Sequence, residues 1–427
     1  MTYAKAIEFL YDLRWFGAKF GLENTFKLAA LAGNPQNQLR FIHVAGTNGK
    51  GSTCAMLESI YRAAGLRVGL FTSPHLVAFG ERIQVNRQPI SEADVARLID
   101  EMQSLLGKFS VEHHSTFFEV VTVMALRYFD EQKCDLVIWE TGMGGRLDAT
   151  NIVTPLASVI TNVQLDHQQW LGETVKKIAF EKAGIIKRGV LVSTAVESRE
   201  ALKVLLDTAR EHNAPLNLIT WTLTERPPMG DLELPLPGEH QRLNAALAIN
   251  TVRKLSAQIP VSDETIRKGL MSLNWPGRLQ LIKKDSGRKI LLDAAHNPAG
   301  AESLVAAMQK YYPAAQMTLI LGSLRDKDCR RICEILAPFA KRILLAPVNS
   351  ERSATPTELL AVCRQSNPQA EVAACSSLDE ALRLAANDSF TVITGSLYLV
   401  GEAMELLQLA AAPSGDEKGL NEWSVKR

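Results

Sequence analysis

The sequence predicts an α/β protein: a mostly parallel sheet domain with helices on both faces, followed by a smaller C-terminal α/β domain. Three observations lead there. Short, near-continuous apolar runs rich in β-branched residues alternate with longer stretches of helical periodicity, as in sheets covered on both sides. Polar, Pro- and Gly-rich stretches at 221–240 and 275–289 interrupt the alternation, which then restarts. The chain has 427 residues, more than one ordinary core holds.

In chain order, the predicted strands of the first domain are FIHVAG (41–46), VGLFTS (68–73), DLVIWE (135–140), ASVITN (157–162) and GVLVST (189–194). Between them, CAMLESIYRAA, ISEADVARLIDEMQSLL, FFEVVTVMALRYFDEQ and ETVKKIAFEKAGI place apolar residues at helical spacing. Ser91 and Asp94 resemble a capping box ahead of the second of these. After the break at 221–240, QRLNAALAINTVRKL reads as a helix and WPGRLQLIKKDSGRK (275–289) as a linker. KILLDAAHN, MTLILGS, KRILLAP and TVITGS then read as strands of a second, Rossmann-like α/β domain. The expected division is 1–280 for the first domain, 287–412 for the second, and a loose tail over 413–427.

Composition narrows the functional classes. Lys and Arg number 47 against 46 Asp and Glu, a net charge of +1, so nothing favours nucleic acid or an acidic membrane as a bulk partner. Any anionic ligand must be held by local groups. The cysteines, at 54, 134, 329, 333, 363 and 375, form no CxxC pair, and no histidine lies near Cys329 and Cys333, which disfavours zinc and fits free thiols in a reducing compartment. The charged N-terminal stretch MTYAKAIEFLYDLRWF does not read as a signal peptide, and no apolar run approaches the ~20 residues of a membrane span. A cytoplasmic protein is expected.

Residues 43–53, HVAGTNGKGST, lie between a predicted strand and a predicted helix, where a phosphate loop of P-loop type belongs. The usual pattern is G-x-x-x-x-G-K-[ST]. Here Val44 replaces the first glycine, Gly51 follows Lys50, and the hydroxyls of Ser52 and Thr53 arrive one step late. The stretch reads as a damaged phosphate loop, a glycine turn with an exposed lysine, or a different class of nucleotide site. Gly46, Gly49 and Gly51 let backbone N–H groups, including those of Thr47 and Asn48, converge on an anion, and the following helix adds its positive end. Lys50 can reach outer phosphates, and Ser52 or Thr53 can bind Mg²⁺.

Further chemistry-bearing residues fall at strand ends, the ligand crevice of such sheets. Glu140 closes DLVIWE ahead of TGMGGRLDATN, as a metal ligand or a solvated strand-end carboxylate. His167 and Asp166 follow ASVITN, as a metal ligand and its partner or as surface and capping groups. Lys182 lies near a helix end beside Glu181, where a lysine ordinarily complements the helix dipole. Asp293, His296 and Asn297 end another strand, as crevice groups or an Asn-Pro turn.

Taken in order, GTNGKGST, TSPHL (72–76), ERIQVN (81–86), WETGMGGRLDATN, LDHQQWLG, EKAGIIK, GRLQ (277–280), DAAHNP and TGSLYL (394–399) resemble the Mur-ligase superfamily, and within it the folylpolyglutamate synthase/dihydrofolate synthase family. The resemblance runs from about residue 1 to 410 and makes GTNGKG[ST] that family's own phosphate loop. It implies a central-type ATP-binding domain, a C-terminal Mur-ligase-type domain, and ATP-dependent amide formation. A substrate carboxylate takes the γ-phosphoryl of ATP, and the amine of L-glutamate attacks the acyl phosphate. The acceptor implied is a folate, and dihydropteroate as well. ATP would contact Gly46, Thr47, Asn48, Gly49, Lys50, Gly51, Ser52, Thr53, Asn244, Arg278 and Asp293. Ser52 would bind the Mg²⁺ bridging ATP, and Glu140, His167 and Lys182 (carbamylated in this family) a second one, with a monovalent cation as a further candidate. Lys50, Glu140, His167, Lys182 and His296 form the implied catalytic set, and the two domains are expected to close over ATP.

Ser73, Pro74 and His75 are candidates for the acceptor side. Phe118 is another, for stacking on a pteridine, although core packing is its plainer reading. The histidine in TSPHL favours use of dihydropteroate. TGSLYL lies near the glutamate site or forms a buried strand and turn. The resemblance implies a monomer. A ligase acting on a UDP-linked precursor is the nearest rival, and the roughly 40 residues before the loop are fewer than its extra domain would need. A switch NTPase would need a Walker-B aspartate rather than DAAHNP. A regulator without chemistry would not require Lys50, Glu140, His167 and Lys182 together.

Overall fold

The computed structural model of the protein describes every residue except 15–16, 18–20, 110–113, 228, 286, 314–315, 414, 416 and 423–427. It divides into two compact units: Met1–Pro235 with Gln241–Leu273 and Ser414–Arg427, and Leu236–His240 with Asn274–Pro413.

The first unit holds strands β1 (Phe41–Ala45), β2 (Val68–Phe71), β3 (Ile83–Val85), β4 (Gln88–Pro89), β5 (Leu136–Glu140), β6 (Ala157–Ile160), β7 (Leu191–Thr194) and β8 (Leu216–Leu218). They form one sheet in the order β4-β3-β2-β5-β1-β6-β7-β8. Pairing is parallel from β2 to β8, and β3 and β4 add an antiparallel edge. β1 lies between β5 and β6, with Val44 opposite Glu140 and Ala45 opposite Ile160. The order of the chain therefore reverses at β1, and the C-terminal ends of β5, β1 and β6 stand side by side.

Alternation along the strands sorts the two faces. Phe41, Phe71, Val137 and Trp139 turn into a core shared with the helices Tyr3–Leu13, Glu23–Leu31, Glu92–Leu106 and Phe117–Glu131. There Trp139 sits 4.4 Å from Phe71 between ring centroids and donates its indole N–H to the Thr150 carbonyl at 2.9 Å. Glu140 follows Trp139 and so points to the opposite face, which the helix Lys50–Ala63 covers. Thr116 caps the helix Phe117–Glu131 in a reciprocal box with Glu119. Ser91 caps Glu92–Leu106 by accepting the Asp94 N–H at 3.0 Å.

The second unit carries β9 (Gln280–Lys283), β10 (Lys289–Leu292), β11 (Met317–Leu321), β12 (Ala340–Leu345), β13 (Glu371–Ala374) and β14 (Phe390–Thr394). Their order is β13-β12-β11-β14-β10-β9, parallel except for β9. The stretch read as a linker is thus partly sheet: β9 is an incompletely buried edge strand that pairs with β10 through Leu281 and Ile282, and it lacks a buried apolar signature. The division falls before Asn274 rather than at 280–287.

The segment expected to be loose also differs. Glu417, Leu420 and Asn421 are buried, and Lys418–Asn421 forms a 3₁₀ turn within the first unit. Its polar composition hid this, because the burial is carried largely by hydrogen bonds rather than apolar residues. Among the described residues no helix is long and apolar enough to cross a membrane.

Candidate active site

The glycine loop grows out of β1. Gly46 has φ 153°, and a Cβ there would lie 1.8 Å from Thr161 Oγ1, so only glycine fits. Gly49 has φ 82° and caps the helix Lys50–Ala63, and a Cβ there would lie 2.6 Å from Asn244 Oδ1. Asn244, predicted from a distant helix, is thus packed directly on the loop. The segment after β6 fixes the loop from the other side. Thr47 N–H donates to the Asn162 carbonyl (3.0 Å), Asn48 N–H to Asn162 Oδ1 (2.8 Å), Asn48 Nδ2 to Gln164 Oε1 (2.9 Å), and Thr161 Oγ1 to the Asn48 carbonyl (2.6 Å). Sequence reasoning missed Thr161, Asn162 and Gln164, although they directly precede the LDH motif it singled out.

Lys50 and Gly51 open the helix, and Ser52 and Thr53 lie in its first turn with buried side chains. The Lys50 ammonium folds back to donate to the carbonyls of Gly46 (3.0 Å) and Thr47 (3.2 Å). Lys182, buried on the helix Val175–Ala183, donates to the same Gly46 carbonyl at 2.9 Å. Burial lowers its pKa from 10.5 to about 7, and the charge of Lys50 pushes the same way, against Asp166 and Asp148. Two lysines far apart in sequence therefore meet on one oxygen at the mouth of the loop.

Glu140 is buried at the end of β5 and accepts the Ser73 N–H at 3.0 Å. Its charge reaches the helix of the loop: the buried Cys54 thiol is pushed up by burial and then by Glu140, and drawn down by Lys50. Asp148, also buried, gathers the N–H groups of Met143 (2.8 Å) and Thr150 (3.0 Å) and shapes the loop after Glu140. His167 caps the short helix Gln168–Leu171 in the left-handed region (φ 49°), its N–H on Asp166 Oδ1 at 2.8 Å and its ring Nε2 3.9 Å from Asp166 Oδ2. Among the described residues no three His, Cys, Asp or Glu side chains gather as a metal cage.

The predicted acceptor-side residues separate. Ser73, followed by a cis bond to Pro74, meets Glu140 through its backbone. His75 turns into the scaffold. It is buried, its Nδ1 accepts from Arg82 Nε at 2.9 Å, and its Nε2 donates to the Glu417 carbonyl at 3.1 Å. Burial and the Arg82 charge hold it well below the usual histidine range, hence neutral. That corrects its reading as a ligand contact, because both ring nitrogens are spent inside the protein. Phe118 is half-buried at the core's edge, 6.0 Å from Phe71 between centroids and packed against Gly142.

In the second unit, Asp293 closes β10 and braces the turn at Arg278, accepting the N–H of Leu279 on Oδ2 and of Ala295 on Oδ1, both at 2.9 Å. His296 Nδ1 donates to the Ala294 carbonyl at 2.9 Å, and Asn297 caps the helix Pro298–Tyr311. Burial lowers the pKa of His240, Asp293 raises it and Arg278 lowers it, so a histidine the sequence reading passed over joins these two.

Two family models match the chain: the Mur ligase middle domain over residues 44–220 and the Mur ligase, glutamate ligase domain over 277–397. The chain is 35% identical to the dihydrofolate synthase/folylpolyglutamate synthase of Bacillus subtilis, over 95% of this chain and 99% of that one. It is 34% identical to the Escherichia coli protein of the same description, over 95% of each. Its structure is similar to a crystal structure of folylpolyglutamate synthase from Thermotoga maritima (TM-score 0.84, 34% identity, 97% and 98% of the two chains). It is likewise similar to E. coli FolC in complex with DHPP and ADP (TM-score 0.84, 31% identity, 96% and 98%). A glycine loop gripped by two lysines, and relatives that match along almost the whole chain, converge: the chain belongs to the Mur ligase superfamily and, within it, to the folylpolyglutamate synthase/dihydrofolate synthase family.

Proposed function

We propose that the chain is an ATP-dependent ligase that joins the amine of L-glutamate to a folate carboxyl, and also to the carboxyl of dihydropteroate, through an acyl phosphate. The convergence of Lys50 and Lys182 on the Gly46 carbonyl carries this reading. The Lys50 ammonium beside a helix-capped glycine loop makes a seat for a polyphosphate, whose oxygens would replace the carbonyl as its partner, and Lys182, held on the same carbonyl, sits where a metal-holding group would border that polyphosphate. A carboxylate is a poor electrophile, and taking the γ-phosphoryl supplies the leaving group that the attacking amine displaces. The protein's share is positioning and charge neutralisation. Lys50 and the loop N–H groups would hold the phosphates, and Asn244, packed against Gly49, is assigned to the nucleotide by the family resemblance. Arg278, Asp293 and His296 are assigned to the nucleotide and the incoming glutamate by the family resemblance.

Magnesium fits the donors present. Thr53 Oγ1, buried on the first helical turn, finds no hydrogen-bond partner among the described residues, and Ser52 and Glu140 supply hard oxygens. When bound, magnesium would neutralise charge on the transferring phosphoryl. Glu140, His167 and Lys182 would hold a second ion; a lysine with a pKa of about 7 carries the neutral amine that carbamylation requires. The test offers purified protein Mg·ATP and L-glutamate with dihydropteroate or tetrahydrofolate separately and follows phosphate release. Turnover with either pterin, abolished by Lys50→Ala with the fold intact, is expected. Turnover with neither pterin but with a UDP-muramyl substrate would overturn the proposal.

A further inference from the structure

We propose that the segment Glu417–Asn421 is a positioning strap, which holds the loop 73–82 in the shape that delivers the Ser73 N–H to Glu140 and so sets the acceptor side of the site. This rests on the function proposed above and on the acceptor-side position that the family resemblance gives Ser73 and Pro74.

The loop is folded around its own Glu81, whose carboxylate accepts the N–H groups of Leu76 (2.8 Å), Val77 (2.9 Å) and Ala78 (2.8 Å). That curl alone does not fix where the loop sits. The strap does so at several points. Glu417 is 1% exposed; its Oε2 accepts the Phe79 N–H at 2.6 Å, its Oε1 accepts the Tyr3 hydroxyl at 2.6 Å, and its carbonyl accepts His75 Nε2 at 3.1 Å. Asn421 Nδ2 donates to the His75 carbonyl at 3.0 Å, and its Oδ1 accepts from Arg82. Arg82 in turn donates to His75 Nδ1, so His75 is held on both ring nitrogens and on its backbone. Leu420 anchors the strap in the core shared with the N-terminal helix.

A carboxylate taken out of water needs compensating donors, and here they come from two places more than 300 residues away in sequence. His75 is two residues from Ser73, whose N–H reaches Glu140. The contacts described for the strap run to Tyr3, His75, Phe79 and Arg82. The strap acts by limiting where a loop can go whose own apolar anchor is Phe79, since loops open locally unless tied.

The test compares the full chain with Glu417→Ala/Asn421→Ala, with the milder Asn421→Ala, and with Glu417→Gln, which keeps an acceptor. Two readouts are taken: KM for the pterin acid and for ATP, and amide hydrogen exchange over 73–82 against β1 and β5. The double variant should raise the pterin KM about tenfold, the size of effect a small misplacement produces, with the ATP KM within about twofold. Exchange at Leu76–Phe79 should quicken while β1 and β5 stay protected. Asn421→Ala should move both readouts the same way by less, which keeps the test informative if the double variant does not fold, and Glu417→Gln should retain most of the wild-type behaviour. Unchanged exchange in the loop, or quickened exchange with an unchanged pterin KM, overturns the strap. If the wild type itself turns over no pterin acid, the proposed function has failed, and the exchange readout alone decides the strap.

Discussion

Replacing Lys182 by methionine should make the protein more stable and its chemistry silent. The ammonium is buried, and its pKa is lowered from 10.5 to about 7, first by burial and then by Lys50. Below about pH 7 the folded chain therefore carries a charge that costs it on the order of 5 kcal/mol relative to the unfolded chain. Methionine matches the stem without the charge. It forfeits the bond to the Gly46 carbonyl, but that oxygen keeps the Lys50 ammonium at 3.0 Å and is not left unpaired. Asp166 and Asp148 lose a favourable neighbour, which trims the gain further. A net stabilisation of about 2 kcal/mol near neutral pH is expected. The pH dependence fixes the sign. Between about 7 and 10.5 the unfolded wild type binds a proton that the folded protein does not, so its stability climbs with pH through that window. The variant lacks that climb, and its advantage should shrink towards alkaline pH. Urea titrations followed by tryptophan fluorescence, in metal-free buffer stripped of carbon dioxide, measure the difference. A variant less stable than wild type near neutrality, or a difference independent of pH, would refute the reasoning.

Gly46→Ala places a methyl 1.8 Å from Thr161 Oγ1 and should destabilise the protein by about 1–3 kcal/mol while weakening ADP binding by calorimetry; adding Thr161→Ala should recover part of both. Glu140→Gln keeps an acceptor for the Ser73 N–H but removes the charge. Magnesium affinity in the nucleotide complex should fall at least about tenfold, with Tm little changed. His43 is fully buried, with its pKa lowered from 6.5 to about 3 by burial. The unfolded chain takes up that proton first, so stability should fall as pH drops from 6.5 towards 3, and His43→Gln should flatten the fall in acid urea titrations.

The fold was legible where burial writes itself into composition. β1, β2, β5, β6 and β7 are short apolar runs because both of their faces are covered, and each was readable as such. β4 has only exposed residues, β8 and β9 are incompletely buried, and β13 is half exposed, so the alternation that marks a strand is absent from them. The buried Glu417 was invisible for a related reason. A carboxylate held by a tyrosine and a backbone N–H belongs to a polar stretch that reads like any loose tail, because its partners lie at residues 3 and 79.

The placement of the candidate site residues was legible by strand end, less so by direction. Glu140 was readable as a crevice carboxylate because parallel strands present their C-terminal ends to the ligand, and Trp139 beside it fixes which face it takes. His75 shows what the motif leaves out. A histidine in a loop next to the crevice has two directions open to it, and the choice was made by Arg82 and Glu417, neither of which the TSPHL motif contains. Lys182 is the converse. Its position at a helix end suggested a surface cation complementing a dipole, yet its ammonium crosses to the first carbonyl of the glycine loop. The helix places that stem under the loop, and burial then supplies the low pKa that no surface lysine would have. The chemistry of the residue thus follows from the packing of its helix, and for that reason the methionine substitution separates stability from function at a single position.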